Sequence, residues 1–329
     1  MQNAIIRSTG SYAPEWVLSN QYFNELLGKD VDTWLVENLT IRQRHWCRED
    51  ESTADLCMQA ASRALKNAAI AATELDLIII ATDTPEYISP STGSVVQYRL
   101  GAKNAGTFDI NAACAGFVTG LDVASKYIRA DEFYQNILVI GVYAMSKYLN
   151  KSDKKTVTLF ADGAGAVILT AENTRDRGFL ASELISNGQY HDWMGIYAGG
   201  TNAPISDEAL NHKDHLLKFV HKFPLEINPE TWTRMIQSLC KRLKIKPIDV
   251  DHYFFTQINI NSIYQTLDNL SVPHTKSHNV MDRYAYTGSA CIPMAFDDAI
   301  QQNKIKQNDL IFFIGSGGGL AFASAAFRF

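Results

Sequence analysis

Cys114 is the residue of this chain best placed for nucleophilic chemistry. It lies in the segment 110–117 (INAACAGF), where an apolar run ends in small residues and a helix is predicted over 118–129. The free N–H groups and the dipole at a helix N-terminus favour a thiolate over a thiol. An ordinary cysteine, with a pKa of ~8.5, is only slightly ionised at neutral pH. The sequence therefore predicts a thiolate nucleophile at position 114.

Buried strands and amphipathic helices alternate around this residue, which indicates an α/β fold. β-Branched apolar runs predict strands buried on both faces, at 75–81, 136–141, 164–169 and 309–314. End signals predict helices over 52–69 and 229–243. The segment 186–215 lacks periodicity and is predicted to be a long loop bordering a substrate entrance.

Composition excludes several classes of function. The chain has 329 residues, 46% of them hydrophobic, and a net charge of −5, so no basic surface for nucleic acid or an anionic membrane is expected. We find no signal-peptide pattern and no apolar run of ~20 residues, and we expect a cytoplasmic protein without membrane insertion. The five cysteines lack metal-ligand spacing, which predicts free thiols and no metal site.

Two glycine-rich segments invite comparison with phosphate-binding loops. The segment 315–319 (GSGGG) is not followed by Lys-Ser or Lys-Thr, and 162–165 (DGAG) lacks the spacing of a dinucleotide fingerprint. Close backbone approach between packed layers, with an N–H directed at a reacting carbonyl, explains both segments better.

Five segments in order resemble the β-ketoacyl-acyl carrier protein synthase III family of condensing enzymes. They are 8–14 (STGSYAP), 81–92 (ATDTPEYISPST), the nucleophile segment, 160–166 (FADGAGA) and 315–320 (GSGGGL). The resemblance implies an α/β thiolase fold of two pseudo-duplicated halves, 1–172 with the nucleophile and 173–329, in αβαβα layers. It also implies a homodimer.

The resemblance further implies the site residues. Gly318 would supply an oxyanion-hole N–H, and Trp34, Lys154, Lys218 and Asn259 would bind substrate. No metal and no tightly bound cofactor are expected, because the substrates would be thioesters of acyl-CoA or acyl carrier protein.

Two departures from the family pattern concern catalysis directly. Thr256 stands where the family has a histidine, and Tyr286 stands where it has an asparagine. Both offer hydroxyl donors, but neither is a base at neutral pH. His252 is too far along an extended segment to replace the histidine, and His221 is expected to be a surface residue.

The chemistry ranks three hypotheses. Thioester exchange needs only the nucleophile and an oxyanion hole, whereas decarboxylating a malonyl thioester needs donors for an enolate oxygen. The preferred hypothesis is an acyltransferase or condensing enzyme that loads Cys114 and passes the acyl group to an acceptor, in fatty-acid-like or specialised lipid or polyketide biosynthesis. The alternatives are an ordinary decarboxylating synthase III that uses Thr256 and Tyr286 as enolate donors, and a catalytically quiet subunit of a heterodimer.

Overall fold

Two mixed sheets organise the chain, and each draws its strands from a separate stretch of sequence. The computed structural model describes residues 2–329. In the first sheet the strand order is β1-β7-β6-β4-β5, and β6, β4 and β5 run parallel. In the second the order is β11-β12-β13-β8, with β11 parallel to β12 and the other pairs antiparallel. Two small antiparallel sheets of two strands each pair β2 with β3 and β9 with β10.

The strands are β1 (Gln2–Tyr12), β2 (Trp16–Ser19), β3 (Gln43–Trp46), β4 (Leu77–Ala81), β5 (Gly106–Ile110), β6 (Asn136–Ala144), β7 (Asp162–Asn173), β8 (Gly178–Tyr190), β9 (Met194–Gly195), β10 (Lys218–Phe219), β11 (His252–Phe255), β12 (Leu310–Gly317) and β13 (Gly319–Arg328). The helices are α1 (Asn20–Leu27), α2 (Asp32–Leu39), α3 (Thr53–Ala68), α4 (Thr92–Leu100), α5 (Gly116–Ala130), α6 (Lys154–Val157), α7 (Asp207–Asn211), α8 (Ile227–Leu243), α9 (Ile260–Asn269), α10 (Met281–Tyr284) and α11 (Cys291–Gln301).

Helices form three layers around the two sheets. α5 and α11 lie in the middle, where α5 contacts β1, β6, β12 and β13 and α11 contacts β1, β7 and β11. α3 and α4 cover the outer face of the first sheet, and α8 packs on β8 and β13 of the second. The layers therefore follow the predicted αβαβα order, and the predicted α/β fold class is confirmed.

Local sequence explains the elements that carry the site. β4 (LIIIA) consists of apolar residues that are all buried, which suits a central parallel strand covered by helices on both faces. α3 begins after Ser52, whose backbone N–H and hydroxyl both donate to the Asp55 carboxylate of the first turn at 2.8 Å. α5 begins at Gly116, two residues before its predicted start, because the small residues 112–116 form the turn that carries Cys114.

The predicted loop 186–215 was only partly correct. β8 extends to Tyr190 through pairing with β13, and the segment also contains β9 and α7. This pairing joins residues distant in sequence, which local periodicity does not reveal. The strands of the first sheet end at Asn173 and those of the second begin at Gly178, while the division at 172/173 itself stays a prediction.

Candidate active site

The Cys114 side chain lies in a sharp turn between β5 and α5 and is 2% exposed. Ala113, just before it, has φ of 44°, in the left-handed region that costs an L-residue about 1–2 kcal/mol. Within the turn, Gly116 N–H donates to the Ala113 carbonyl oxygen at 2.9 Å, and the Ser289 hydroxyl donates to the same oxygen at 2.9 Å. The second half of the chain thus holds the strained turn that presents the sulfur.

The environment of Cys114 does not produce the predicted thiolate in the resting site. Burial raises the pKa of the thiol well above its ordinary value, and the Asp83 carboxylate raises it further, while a hydrogen bond from the Tyr286 hydroxyl lowers it. Removing the sulfur from water outweighs the favourable position at the start of α5. The thiol is therefore protonated at rest, and it would have to lose its proton in order to act as a nucleophile.

The glycine segment 315–319 lies directly against the nucleophile turn. A Cβ on Gly317 would stand 2.5 Å from the backbone nitrogen of Cys114 and 2.8 Å from the carbonyl oxygen of Ala112, so only glycine fits there. Gly318 follows immediately and lines the same cavity as Cys114. The backbone amides of Cys114 and Gly318 are thus brought close together, as an oxyanion hole requires.

Tyr286 is held in place by backbone and ring contacts. Its N–H donates to the Leu159 carbonyl at 3.0 Å, and its own carbonyl accepts from Ala161 N–H at 2.9 Å. Its ring centroid lies 5.4 Å from that of Phe160 and 6.4 Å from that of Tyr143. Burial raises the pKa of the Tyr286 phenol well above its usual range, so the hydroxyl is a donor rather than a base.

Thr256 does not contribute the enolate donor that the sequence suggested. Its side chain is fully buried and lies outside the residues that line the cavity. The hydroxyl donates to the Ser316 carbonyl at 3.2 Å and accepts from Ser316 N–H at 2.9 Å. Because its single proton is already donated to β12, Thr256 holds the two strands together instead of facing a substrate.

A largely apolar cavity of about 600 Å3 connects Cys114 with the surface. Trp34, Lys154, Asn259 and Tyr286, all predicted site residues, line it. Its remaining lining includes Leu39, Lys155, Leu159, Met194, Phe219, His221, Lys222, Phe223, Leu225, Ile258 and Leu320. Apolar side chains near the sulfur suit an acyl chain, and lysines suit the anionic end of its carrier.

Lys218 is not brought to this cavity, in contrast to its predicted role in binding substrate. Its ammonium group forms an ion pair with the Asp214 carboxylate and donates to the His212 carbonyl at 2.9 Å. The Asp214 carboxylate, four positions earlier in the chain, therefore neutralises the charge of Lys218. Of the two histidines considered, His252 pairs with Asp309 at 3.1 Å, and His221 is exposed at the cavity mouth.

Sequence reasoning missed several lining residues and one buried carboxyl group. Lys155 and Lys222 add positive charge at the cavity, and Met194 lies beside Gly318, where a Cβ would be 3.6 Å from its methyl carbon. The adjacent Lys154 was the available signal for Lys155. Asp83 carries no local signal, because its position next to the site follows from strand pairing alone.

Among residues 2–329 no group of three His, Cys, Asp or Glu side chains could hold a metal ion. Between the same limits, no helix combines the length and apolar character that a membrane crossing requires.

Comparisons with known proteins place these observations in a family. Residues 108–188 match the family model described as 3-oxoacyl-(acyl-carrier-protein) synthase III, and residues 240–329 match its C-terminal model. The β-ketoacyl-(acyl-carrier-protein) synthase III of Aliarcobacter butzleri is 34% identical, with 99% of this chain and 98% of the relative aligned. That of Oceanobacillus iheyensis is 35% identical, with 99% of each chain aligned.

Solved structures agree with the sequence matches. The crystal structure of 3-oxoacyl-(acyl-carrier-protein) synthase III from Aquifex aeolicus superposes with a TM-score of 0.89 at 30% identity, covering 99% of this chain and 100% of the other. The corresponding enzyme from Pseudomonas aeruginosa gives a TM-score of 0.90 at 29% identity, covering 99% and 98%. The chain therefore belongs, as its sequence predicted, to the β-ketoacyl-acyl carrier protein synthase III family of condensing enzymes.

Proposed function

We propose that this protein transfers an acyl group from a thioester of coenzyme A or acyl carrier protein to Cys114 and then to an acceptor. The observation that carries the proposal is the shared cavity, because Cys114, Gly318 and apolar side chains all line it. Relatives named β-ketoacyl-(acyl-carrier-protein) synthase III support this donor class. The pathway would be fatty-acid-like or specialised lipid or polyketide biosynthesis.

The roles of the residues follow from their contacts. The sulfur attacks the thioester carbonyl, and the N–H groups of Cys114 and Gly318 receive the developing negative charge. Trp34, Lys154 and Asn259 line the cavity and would contact the donor. Lys154, with Lys155 and Lys222, would attract its phosphate groups.

Decarboxylation of a malonyl thioester is disfavoured in this site. An enolate oxygen needs preorganised donors, and losing one typically costs ~10²–10³ in rate. The hydroxyl of Thr256 is already donated to Ser316, and that of Tyr286 lowers the pKa of the Cys114 thiol. We therefore propose an acceptor that does not require decarboxylation.

Mass spectrometry of the intact protein tests the transfer step. Incubation with a panel of acyl-CoA thioesters should add one acyl mass to the wild type and none to Cys114→Ala. Cys240→Ala is a matched control, because Cys240 is a buried free thiol on α8 that does not line the cavity. Absence of an adduct with every donor would favour a catalytically quiet subunit instead.

Release of carbon dioxide from malonyl-acyl carrier protein tests the acceptor step. We expect the acylated protein to release little, because the Thr256 hydroxyl is already donated to Ser316, which leaves Tyr286 as the one candidate enolate donor. Brisk release would refute the non-decarboxylating proposal and support an ordinary synthase III.

We also propose that the protein forms a homodimer through the free edge of β5. β5 ends the first sheet, and Tyr87, Ile88 and Tyr98, near the same edge, are 54%, 84% and 84% exposed. Apolar side chains beside an unpaired strand are a common mark of an interface. Light scattering after size-exclusion chromatography should give twice the monomer mass, and Tyr98→Asp should shift it towards the monomer.

A further inference from the structure

Asp83 lies at the edge of the first sheet where the carboxyl ends of the parallel strands β4, β5 and β6 meet. It follows β4 by two residues, Cys114 follows β5, and Tyr143 lies at the end of β6. β4 pairs with both neighbours, in the order β5-β4-β6. Since the carboxyl ends of parallel strands meet at one edge of a sheet, Asp83 lies between the nucleophile turn and Tyr143.

Backbone contacts fix the Asp83 turn against the nucleophile turn. Thr82 N–H donates to the Ile110 carbonyl at 3.1 Å, which continues the β4–β5 pairing to the residue next to Asp83. On the other side of the turn, a Cβ on Gly116 would stand 3.2 Å from the Cβ of Ala81. The start of α5 is therefore packed directly onto the end of β4.

The Asp83 carboxyl group is under-bonded in this position. Its Oδ1 is buried and has no hydrogen-bond partner in the described part of the chain. The neighbouring hydroxyls do not serve it, because Thr82 and Thr84 contact each other at 3.2 Å and bond backbone N–H groups of Thr84 and Ala144. A buried polar atom without a partner costs stability and calls for an explanation in function.

Asp162 shows what a structural carboxylate looks like in this fold. Its side chain is fully buried, and it accepts from Cys47 N–H at 2.7 Å, from Ser146 N–H at 2.8 Å and from the Ser146 hydroxyl. Asp162 therefore joins two loops through satisfied bonds. Asp83 has no comparable bonds, so a joining role does not explain it.

One thiol and two phenols whose pKa values Asp83 raises are neutral at rest. Burial raises the pKa values of Cys114, Tyr143 and Tyr148, and in each the Asp83 carboxylate is the next largest cause. Glu86, on the same turn, also raises the pKa of Tyr148. Burial without a neutralising cation raises the pKa of Asp83 itself to about 6. Asp83 is therefore ionised at neutral pH but is a much stronger base than an ordinary carboxylate.

We propose that Asp83 is the proton acceptor for the Cys114 thiol, in the role that the absent histidine would otherwise fill. The Sγ–H bond breaks and its proton passes to the Asp83 carboxylate, while the sulfur electron pair forms a bond to the thioester carbonyl carbon. The carbon–sulfur bond of the donor then breaks, and the departing thiolate takes up the proton. This inference rests on the proposed nucleophilic role of Cys114.

The pH dependence of two reactions of Cys114 tests the proposal. Acylation by the best acyl-CoA donor and alkylation by iodoacetamide are each followed from pH 5 to pH 10 by mass spectrometry of the Cys114 peptide. In the wild type we expect both rates to rise around pH 6 and then to reach a plateau. Above that pH the Cys114 thiol and the Asp83 carboxylate share one proton, and a constant fraction of molecules holds it on Asp83 and leaves the sulfur ionised.

Three variants separate the proton acceptor from a structural residue. Asp83→Asn should lose the rise near pH 6 and acylate about 10²-fold more slowly at pH 7, as for loss of a general base. At pH 10 its alkylation should equal or exceed that of the wild type, since removing the negative charge lowers the thiol pKa. Asp83→Glu should retain the rise. Glu86→Gln, which removes a carboxylate of the same turn bonded to Ala54 N–H at 2.8 Å, should behave as wild type.

The two readouts distinguish failure of this inference from failure of the proposed function. If Asp83→Asn keeps the rise near pH 6, or acylates within threefold of the wild type at pH 7, Asp83 is not the acceptor, whatever the donor. If the wild type accepts no acyl group but its alkylation shows the rise and Asp83→Asn loses it, the inference stands and the transferase proposal fails.

Discussion

Replacing Tyr286 by phenylalanine removes one hydroxyl from the Cys114 sulfur and little else. Phenylalanine keeps the ring that packs 5.4 Å from Phe160 and 6.4 Å from Tyr143, measured between centroids. The backbone bonds of residue 286 to Leu159 and Ala161 do not involve its side chain. The substitution therefore isolates the hydrogen bond that lowers the thiol pKa.

The size of the effect follows from the charge of the acceptor. A hydrogen bond to a charged group contributes about 1.5–3 kcal/mol, and each ~1.4 kcal/mol is a tenfold change in ionisation. Tyr286→Phe should thus raise the thiol pKa by about one to two units. The alkaline limb of iodoacetamide alkylation, above the plateau near neutral pH, should move to higher pH by the same amount.

Rates of Cys114 alkylation between pH 7 and pH 11 measure this shift. Tyr143→Phe is the matched control, because it removes a buried phenol beside Tyr286 that does not bond the sulfur. We expect its alkaline limb to stay within about 0.3 units of the wild type. An unmoved limb in Tyr286→Phe, or an equal shift in both variants, would refute the effect of the Tyr286 hydroxyl on the thiol pKa.

Three further predictions concern stability, the nucleophile turn and the cavity mouth. Asp83→Asn should stabilise the fold by up to about 3 kcal/mol above pH 7 and by little at pH 4. The reason is that the pKa of Asp83 is raised from 3.8 to about 6, so the folded state is destabilised only where Asp83 is charged. Urea unfolding at both pH values measures the free energy of unfolding, and an equal effect at both would contradict the prediction. Gly317→Ala should reduce the rate of acyl-adduct formation more than 10²-fold, because its Cβ would stand 2.5 Å from the backbone nitrogen of Cys114. Gly188→Ala should leave that rate unchanged, because no atom lies within 4 Å of the position of its Cβ. Similar rates in the two variants would show that the turn tolerates the added methyl group. Lys154→Gln should raise the KM for an acyl-CoA several-fold with kcat nearly constant. Lys218→Gln should leave the KM unchanged, because Lys218 lies outside the cavity and is paired with Asp214. Steady-state kinetics of the two variants measure both constants, and equal KM values would show that Lys154 does not bind the donor.

The sequence was most informative where the relevant signal is local. The small residues around Cys114 predicted both the turn and the helix after it, and apolar runs such as 75–81 and 309–314 predicted buried strands that the structure contains. Family-like segments were sufficient to predict the fold. These features depend on residues within one turn or one strand of each other.

The errors arose where a side chain meets a partner that is distant in sequence. The hydroxyl of Thr256 bonds the backbone of Ser316, sixty residues away, because β11 and β12 are neighbours. The Cys114 thiol is protonated at rest because distant layers bury it, although its place at a helix start suggested the opposite. Lys218 is different, since the charge that captures it is Asp214, only four residues earlier, and was visible in the sequence.

The hydroxyl of Ser289 that bonds the Ala113 carbonyl has a consequence for biosynthesis at the ribosome. The nucleophile is translated in the first half of the chain, but the atoms that hold its turn, in Ser289 and Gly317, emerge near the end. A nascent chain that carries only the first sheet lacks those restraints, so its thiol cannot yet meet the amide of Gly318. The thiol and this amide can therefore come together only after both sheets have been synthesised.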